Sequence, residues 1–199
     1  MISKDSSLIE VAAIVSDALS KAKIQATLSG GGAVSIYTAN TYQSKDLDFV
    51  TAELLDNLKP VMESLGFKHS GTPRLSQFDH PDTEWYVEFP PSPLTFGNLQ
   101  IDHKDCKIIE LDVGELRIIT PTHSVMDRLA AAIHWNDQQS YTQAILVAAN
   151  NEVDWDAISK WFLEEGESAA EYERFHKLVS RQRNNLKSSD SLVLTEGNS

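Results

Sequence analysis

The sequence predicts an α+β fold in which helices flank a mixed β-sheet core and a helical lobe follows. Strand-type and helix-type patterns alternate up to about Ile119, and the pattern is helical from Thr120 onward. Residues 184–199 are polar and have no sustained period. We therefore expect an α/β core over residues 1–119, a C-terminal helical lobe over 120–183 and a flexible tail over 184–199.

Composition and charge limit the classes of function. Of the 199 residues, 41% are hydrophobic and 23% are charged, as in ordinary globular proteins. The chain lacks an apolar run of membrane-spanning length and the pattern of a signal peptide, and Cys106 is its single cysteine. These features predict a cytoplasmic protein without a membrane partner. The formal net charge of −12 disfavours binding of nucleic acid by the overall field of the protein.

One local basic patch is the exception to this acidic character. It comprises Lys177, Arg181, Arg183 and Lys187, all in the C-terminal helical region. A solvated helix face explains such a patch most simply, because charged residues are common on exposed helix surfaces. Contact with RNA is the alternative.

The central pattern is a glycine turn followed by an acidic strand. A strand over Ile24 to Leu28 leads into the glycine triplet at 30–32, and a short helix is predicted from Ala33 to Thr38. Glycines allow a backbone to approach a phosphate closely, and a helix N-terminus presents free N–H groups and a positive dipole end. This order of elements predicts a phosphate-binding turn.

The next predicted strand, Asp46 to Thr51, carries two carboxylates on one face. Asp46 and Asp48 are two residues apart, so their side chains point the same way, while Leu47 and Phe49 point to the other face. Two close carboxylates repel each other unless a cation lies between them. Mg²⁺ suits this place because it is commonly held by carboxylates together with substrate phosphates.

The remaining pattern completes the core and the lobe. The predicted elements are an N-terminal helix capped at Ser7, a helix ended by Gly66, strands at 67–70, 74–78 and 84–89, a hairpin at 106–111 and 115–119, and helices beginning near Pro121, Asp137, Asp154 and Ala169. The glycines lack the spacing of a P-loop or a dinucleotide-binding fingerprint, and no nucleophile elbow is present. A zinc site has no support from the cysteine and histidine spacing.

These residues resemble the nucleotidyltransferase superfold. In that family a glycine pair, a spacer and an acidic-hydrophobic-acidic-hydrophobic strand follow one another, as Gly31-Gly32, residues 33–45 and Asp46-Leu47-Asp48-Phe49 do here. The wider pattern is similar to AbiEii-type and related bacterial nucleotidyltransferases, some of which are toxins of toxin–antitoxin pairs. In those proteins a helix led by proline follows the sheet, as at Thr120-Pro121.

The resemblance implies roles for individual residues. A third carboxylate on a later strand corresponds best to Glu88, with Asp82 and Glu84 as less favourable choices beside a turn. Asp46, Asp48 and Glu88 would be catalytic and would hold two Mg²⁺ ions, with an NTP as substrate. The implied nucleotide contacts are Ser29, Gly31, Gly32, Ser44, Lys45 and Arg128, where Lys45 and Arg128 occupy places that often hold an Arg and a Lys.

Two functions follow from this interpretation. The first is Mg²⁺-dependent transfer of a nucleotide from an NTP to a hydroxyl of RNA, a protein or a small molecule, in a toxin-type component with an antitoxin partner. The second is a catalytically inactive binding protein that keeps the fold. Convergence of three carboxylates on an open surface favours the enzyme, and a Glu88 side chain turned away favours the binder.

Overall fold

The computed structural model describes residues 1–71 and 76–196 of the chain, with side chains up to residue 188. The chain forms two compact units, Met1–Thr120 and a second that begins at Pro121. The predicted strand at 74–78 lies partly outside the described residues, and a strand begins at Gln77. Among the helices in the described ranges, none combines the length and the apolar character needed to cross a membrane.

Within its described residues the first unit contains three α-helices, a 3₁₀ helix (His103–Asp105) and nine strands. The helices are α1 (Leu8–Lys21), α2 (Gly30–Tyr37) and α3 (Leu55–Ser64). The strands are β1 (Ala26–Ser29), β2 (Asp46–Thr51), β3 (Lys68–His69), β4 (Gln77–Asp79), β5 (Tyr86–Glu88), β6 (Leu94–Phe96), β7 (Leu99–Ile101), β8 (Lys107–Leu111) and β9 (Gly114–Ile118). The predicted bounds of β2 are confirmed, and the Ser7–Glu10 capping box at the start of α1 is present.

A seven-stranded mixed sheet organises this unit. Its order is β3-β4-β5-β2-β1-β9-β8, and β6 and β7 form a separate two-stranded sheet. Strand β2 runs antiparallel to β1 and parallel to β5, so β2 lies between the glycine-bearing connection on one side and β5 on the other. The mixed sheet with flanking helices confirms the predicted fold class.

Alternation along the central strands separates a core face from a polar face. Leu47, Phe49 and Val87 are fully buried, whereas Asp46 and Asp48 are partly exposed. Burying such apolar side chains stabilises the sheet by roughly 1.5–3 kcal/mol each, whereas burying an unpaired carboxylate costs free energy. The register of β2 is therefore determined by its apolar positions, which leave both aspartates on the polar face.

The glycine triplet differs from the prediction because it forms the first turn of a helix. We expected a turn at 30–32 and a helix from Ala33, but α2 begins at Gly30, which has a φ of 64°. Glycine is a poor helix former, so tertiary packing must compensate for it. A Cβ built on Gly32 would lie 3.0 Å from the Asp46 carbonyl oxygen, which shows that the bare backbone packs directly on β2.

The second unit is helical, as predicted. Its described helices are α4 (Pro121–Trp135), α5 (Gln138–Asn150), α6 (Trp155–Glu164) and α7 (Ala169–Glu196). The side chain of Asp137 accepts hydrogen bonds from the backbone N–H groups of Gln139 and Ser140, and Asp154 accepts one from Ala157, so both aspartates cap helices. The core of the unit is built around Trp161 and Phe175.

The predicted tail is helical over most of its length. Helix α7 continues past Arg183 to Glu196, and residues 197–199 lie outside the described part. Most residues of this segment are compatible with a helix, and no proline or glycine interrupts it before Glu196. Propagation of an existing helix costs far less than nucleation of a new one. Helix α7 can therefore continue through a segment that has no apolar period.

A β-hairpin between residues 94 and 101 escaped the sequence interpretation. Phe96 pairs with Leu99 across Gly97 and Asn98, and Gly97 has a φ of 61°. A Gly-Asn pair between two short apolar segments is a recognised hairpin signal. The prolines that precede it obscured this signal.

Candidate active site

The two aspartates of β2 and the glutamate of β5 lie on one face of adjacent strands. Asp48 and Glu88 are Cα partners in the parallel pair β2–β5, and Asp46 is the partner of Tyr86. Partners in register point to the same face of a sheet, and Leu47 and Val87 are buried on the opposite one. The topology thus brings Glu88 beside two carboxylates that are far from it in sequence.

Asp82 and Glu84, the other predicted choices for the third carboxylate, lie before β5 begins. Asp82 is in a turn, and Glu84 forms an exposed ion pair with Lys45, with 3.0 Å between Oε2 and Nζ. Neither occupies a register position opposite the aspartates of β2. Glu88 is the residue whose strand position places it beside them.

The first turn of α2 packs against both aspartates. A Cβ added to Gly30 would collide with the Asp48 carboxylate, and one added to Gly31 would lie 2.7 Å from the Ser44 hydroxyl and 3.6 Å from Asp46 Oδ1. The N–H groups in the first turn of a helix have no partner within that helix, and they carry partial positive charge. The carboxylates therefore lie beside a set of backbone donors suited to an anion.

Ser44 orients one of these carboxylates. Its hydroxyl donates a hydrogen bond to Asp46 Oδ1, and its backbone N–H donates to Ser35 Oγ at 2.9 Å. The Ser35 hydroxyl in turn donates to the carbonyl oxygen of Gly31 at 3.1 Å. Ser44 is buried. These hydrogen bonds form a network that connects the first turn of α2 to Asp46. Its predicted contact with phosphate stays a prediction.

The face has a strongly negative electrostatic character. Burial, and then the charge of Asp46, raise the pKa of Glu88. Burial also raises the pKa of Tyr86, and the charges of Asp46, Glu88, Asp48 and Asp79 add to this effect. Tyr86 therefore stays neutral on this face.

The donor set suits a hard divalent cation that binds with a substrate. All three side chains supply oxygen, which Mg²⁺ prefers over nitrogen and sulfur. Within the described ranges, no three side chains of the types His, Cys, Asp and Glu are already gathered as a metal site. Mg²⁺ is usually held by one or two carboxylates plus phosphate oxygens, so Asp46 and Asp48 with a triphosphate fit the ion, and a complete protein cage is not required.

The other predicted nucleotide contacts have distinct positions. Ser29 is the last residue of β1, lies opposite Asp48 and precedes α2. Lys45 is exposed and paired with Glu84. Arg128 belongs to α4 of the second unit, where it donates two hydrogen bonds to Asp127 at 3.1 and 2.8 Å. Contact of these residues with a nucleotide stays a prediction.

Three residues on the same face were not predicted as site residues. Tyr86 lies beside Asp46, Gln77 is the register partner of Glu88, and Asp79 lies two residues further along β4. The alternation of Tyr86 and Glu88 around a buried Val87 was a usable signal for the first of them. The pairing of β4 with β5 had no local signal, because it depends on a contact between separate segments.

Comparisons with known proteins identify the type of fold. No family model matches the chain, and no curated protein matches it. The structure is similar to that of ANT(2'')-Ia in complex with adenylyl-2''-tobramycin, with a TM-score of 0.50 and 12% identity, covering 88% of this chain and 97% of that chain. It also matches the lincomycin-bound lincosamide antibiotic adenylyltransferase LnuA, with a TM-score of 0.47 and 13% identity, covering 68% of this chain and 92% of that chain.

The likeness to ANT(2'')-Ia establishes the fold alone. The match to ANT(2'')-Ia identifies a nucleotidyltransferase fold, as the order of glycine turn and acidic strand predicted. The neighbours do not single out AbiEii-type proteins. At 12% identity the activity of a neighbour does not transfer to this chain, since one fold supports many functions.

Proposed function

We propose that this protein is an Mg²⁺-dependent nucleotidyltransferase that moves a nucleotide from an NTP to a hydroxyl of a small molecule. The single observation that carries the proposal is the register of Asp48 with Glu88 on strands β2 and β5, beside the first turn of α2. This arrangement combines carboxylates suited to a metal with backbone donors suited to a triphosphate.

Each group has a role in this proposal. Asp46 and Asp48 would hold Mg²⁺, and Glu88 would lie on the acceptor side. The bound ions would neutralise phosphate charge and make the acceptor hydroxyl more nucleophilic. Gly31 and Gly32 would donate backbone N–H groups to the triphosphate, as the donors of a helix N-terminus do for anions.

The proposed reaction is a displacement at the α-phosphorus. A bond forms between the acceptor oxygen and this phosphorus, and the bond to the bridging oxygen of the β-phosphate breaks. The hydroxyl proton goes to Glu88 or to water, and pyrophosphate leaves. The raised pKa of Glu88 supports its part as proton acceptor, because a base is most effective when its pKa approaches the working pH.

A small-molecule acceptor agrees with what the structural neighbours bind. LnuA is a lincosamide adenylyltransferase, and ANT(2'')-Ia was solved with adenylylated tobramycin. The net charge of −12 supports the same choice over RNA. The toxin-type role, an RNA or protein acceptor, an antitoxin partner and a cytoplasmic location stay predictions.

One observation favours the second candidate, a catalytically inactive binding protein. Within the described ranges, no group of three His, Cys, Asp or Glu side chains is arranged to hold a metal ion. A protein that binds the nucleotide without transferring it would have the same strands and the same glycine turn. Binding and transfer must therefore be measured separately.

Calorimetric titration with a non-hydrolysable ATP or GTP analogue, with and without MgCl₂, tests the proposal. We expect binding that requires Mg²⁺ in the wild type and is lost in the Asp46→Asn/Asp48→Asn variant. Asp112→Asn is the matched control, because this exposed aspartate lies in the β8–β9 turn at the far edge of the sheet. Circular dichroism verifies that each variant is folded.

The transfer step is measured as release of pyrophosphate in the presence of candidate acceptors. Binding together with acceptor-dependent release supports the enzyme. Binding without release from any acceptor identifies the inactive binder. Binding that does not depend on Mg²⁺ or on Asp46 and Asp48 contradicts both the enzyme and the inactive binder as functions of this site.

A further inference from the structure

A polar cavity of about 110 Å³ lies at the start of strand β1, where the end of α1 approaches β9. Ala26, the first residue of β1, lines it, whereas Ser29 at the other end of β1 is the register partner of Asp48. The cavity is therefore about 10 Å along the strand from the proposed active site. Its volume admits several water molecules or one small ion. The polar side of the lining comprises Ser16, Ser20, Lys23, Gln25, Glu115 and Arg117.

Two cations of this lining have no carboxylate partner in the described part of the chain. Neither Lys23 nor Arg117 forms an ion pair there, whereas the neighbouring Lys21 pairs with Asp17 at 2.6 Å. Arg117 is half-buried, and among the described residues only its Nη1 has a hydrogen-bond partner, the carbonyl oxygen of His103 at 2.9 Å. A guanidinium carries five N–H donors, so Arg117 keeps donors and an uncompensated charge for an anion.

The hydroxyl of Ser16 supplies a further donor. Ser16 is 5% exposed, and its Oγ accepts a hydrogen bond from the backbone N–H of Arg117 at 2.9 Å. A serine hydroxyl in a helix often donates to the carbonyl oxygen four residues earlier, as those of Ser35 and Ser180 do. Ser16 makes no such bond, and the described residues provide no acceptor for its proton. Because Ser16 lines the cavity, an oxygen of a ligand bound there would satisfy this buried donor.

Lys23 occupies a backbone position that favours glycine. It follows the end of α1 with a φ of 62°, and the next residue, Ile24, donates its backbone N–H to the carbonyl oxygen of Leu19 at 2.9 Å. Helices that end in this way usually have glycine at the left-handed position, because other residues are strained there. Strained backbone is frequent where a side chain has a function. The strain at Lys23 accompanies a side chain that lines the cavity.

We propose that this cavity binds a small tetrahedral oxyanion, a phosphate or sulfate group. Lys23 and Arg117 supply the positive charge, and Ser16 and Ser20 supply hydroxyl donors. Glu115 is the single carboxylate of the lining and opposes the anion, so binding depends on the hydroxyl donors as well as on charge. The site goes beyond the proposed nucleotide transfer and does not depend on it.

Titration with simple ions tests the site. Calorimetry follows the binding of phosphate, sulfate and acetate at constant ionic strength, in EDTA and without nucleotide. We expect saturable binding of phosphate and sulfate, and weaker binding of acetate, which offers fewer oxygens. Absence of saturable binding, or acetate that binds as tightly as phosphate, overturns the proposal.

Glycerol phosphate identifies the source of the bound group. Binding at least as tight as that of inorganic phosphate supports the site and indicates a phosphorylated compound as its occupant. Saturable but weaker binding also supports the site and indicates the free ion.

Variants that change charge locate the bound ion. Lys23→Gln and Arg117→Gln should each weaken phosphate binding at least about tenfold, the loss expected from one hydrogen bond to a charged group. Glu115→Gln should strengthen binding, because it removes a repulsive charge. Lys21→Gln and Glu110→Gln are the matched controls, because both residues are exposed and neither lines the cavity, and they should leave binding unchanged. Equal effects of Lys21→Gln and Lys23→Gln overturn the assignment.

Lys23→Gly separates ligand binding from a structural role. Glycine removes the charge and also the backbone strain, so this variant should melt roughly 2–4 °C above the wild type in phosphate-free buffer. Phosphate should raise the melting temperature of the wild type, as any ligand of the folded state does, and should not raise that of Lys23→Gly. A phosphate-induced rise that persists in the variant overturns the proposal.

The first turn of α2 is the competing location for phosphate, because its backbone donors also suit an anion. Phosphate held there would be displaced by the Mg²⁺-bound nucleotide analogue and would not respond to Lys23→Gln or Glu115→Gln. Binding with these two properties overturns the assignment to the cavity, and binding with the opposite properties supports it. Lys23→Gly should leave the nucleotide titration unchanged, so the two proposals are tested independently.

Discussion

The Ser44 hydroxyl donates a hydrogen bond to the carboxylate of Asp46. The two residues are separated by Lys45 alone, yet Ser44 is buried whereas Asp46 is partly exposed. A partner of this kind fixes the orientation of a metal-binding carboxylate and leaves its second oxygen for the ion. Ser44 therefore acts, in the proposed site, through Asp46.

We predict that Ser44→Ala weakens Mg²⁺ binding by about 10–100-fold in the presence of nucleotide, the range typical of residues that orient metal ligands. Calorimetric titration of Mg²⁺ measures the change. Ser44→Thr keeps a hydroxyl and should restore part of the affinity. Ser64→Ala, on the exposed face of α3, serves as the control. An unchanged Mg²⁺ affinity in Ser44→Ala would show that the hydrogen bond has no role in metal binding.

Gly30 and Gly166 provide a matched pair of glycine substitutions. Both have a positive φ, 64° and 85°, but a Cβ at Gly30 would collide with Asp48, whereas one at Gly166 would meet open space. Gly166→Ala should cost only backbone strain, about 1–2 kcal/mol, and leave nucleotide binding intact. Gly30→Ala should cost more and also abolish binding. Thermal unfolding and the nucleotide titration measure both effects, and equal behaviour of the two variants would contradict the packing argument.

Glu88 should limit the stability of the metal-free protein at neutral pH. Its pKa is raised in the fold, so its stabilising contribution is complete below the unfolded pKa of about 4.3 and is lost as the pH rises through the raised value. Glu88→Gln should therefore raise the free energy of unfolding at pH 7 in EDTA by less than about 1 kcal/mol, because the group is partly solvated, and the melting temperature should rise accordingly. The gain should shrink as the pH falls toward the unfolded value.

The exposed Glu110→Gln is the control for this experiment, and it should show no comparable change. Glu88→Gln should also reduce pyrophosphate release, because the amide cannot accept the hydroxyl proton. A variant that is less stable than the wild type at pH 7 would show that ionised Glu88 makes favourable contacts that outweigh its repulsion from Asp46.

Arg183 of the basic patch has a structural role. Its guanidinium donates hydrogen bonds to the carbonyl oxygens of Ala148, Ala149 and Asn151 at the end of α5, at 2.8–3.3 Å. Arg183→Ala should destabilise the protein by about 1–3 kcal/mol, because these bonds involve a charged donor. Arg181→Ala, on an exposed position, should change the free energy of unfolding by less than about 0.5 kcal/mol. Chemical denaturation measures both, and equal losses would contradict this role.

Local sequence patterns, without any tertiary contact, are enough to predict much of the fold. The alternation of Asp46, Leu47, Asp48 and Phe49 predicts a strand with two carboxylates on one face, because side chains alternate with a period of two. Capping residues and Pro121 mark helix starts for an equally local reason. The family resemblance could identify Glu88 because its strand has the same alternation of polar and apolar residues.

Only the tertiary structure determined which groups meet. The glycines at 30–32 are helical because β2 packs against their bare backbone. Arg183 is not part of an exposed basic patch, because its guanidinium bonds to the end of α5. Asp79 joins the carboxylate face through the pairing of β4 with β5. Each of these outcomes depends on a partner that is distant in sequence, and periodicity carries no information about such partners.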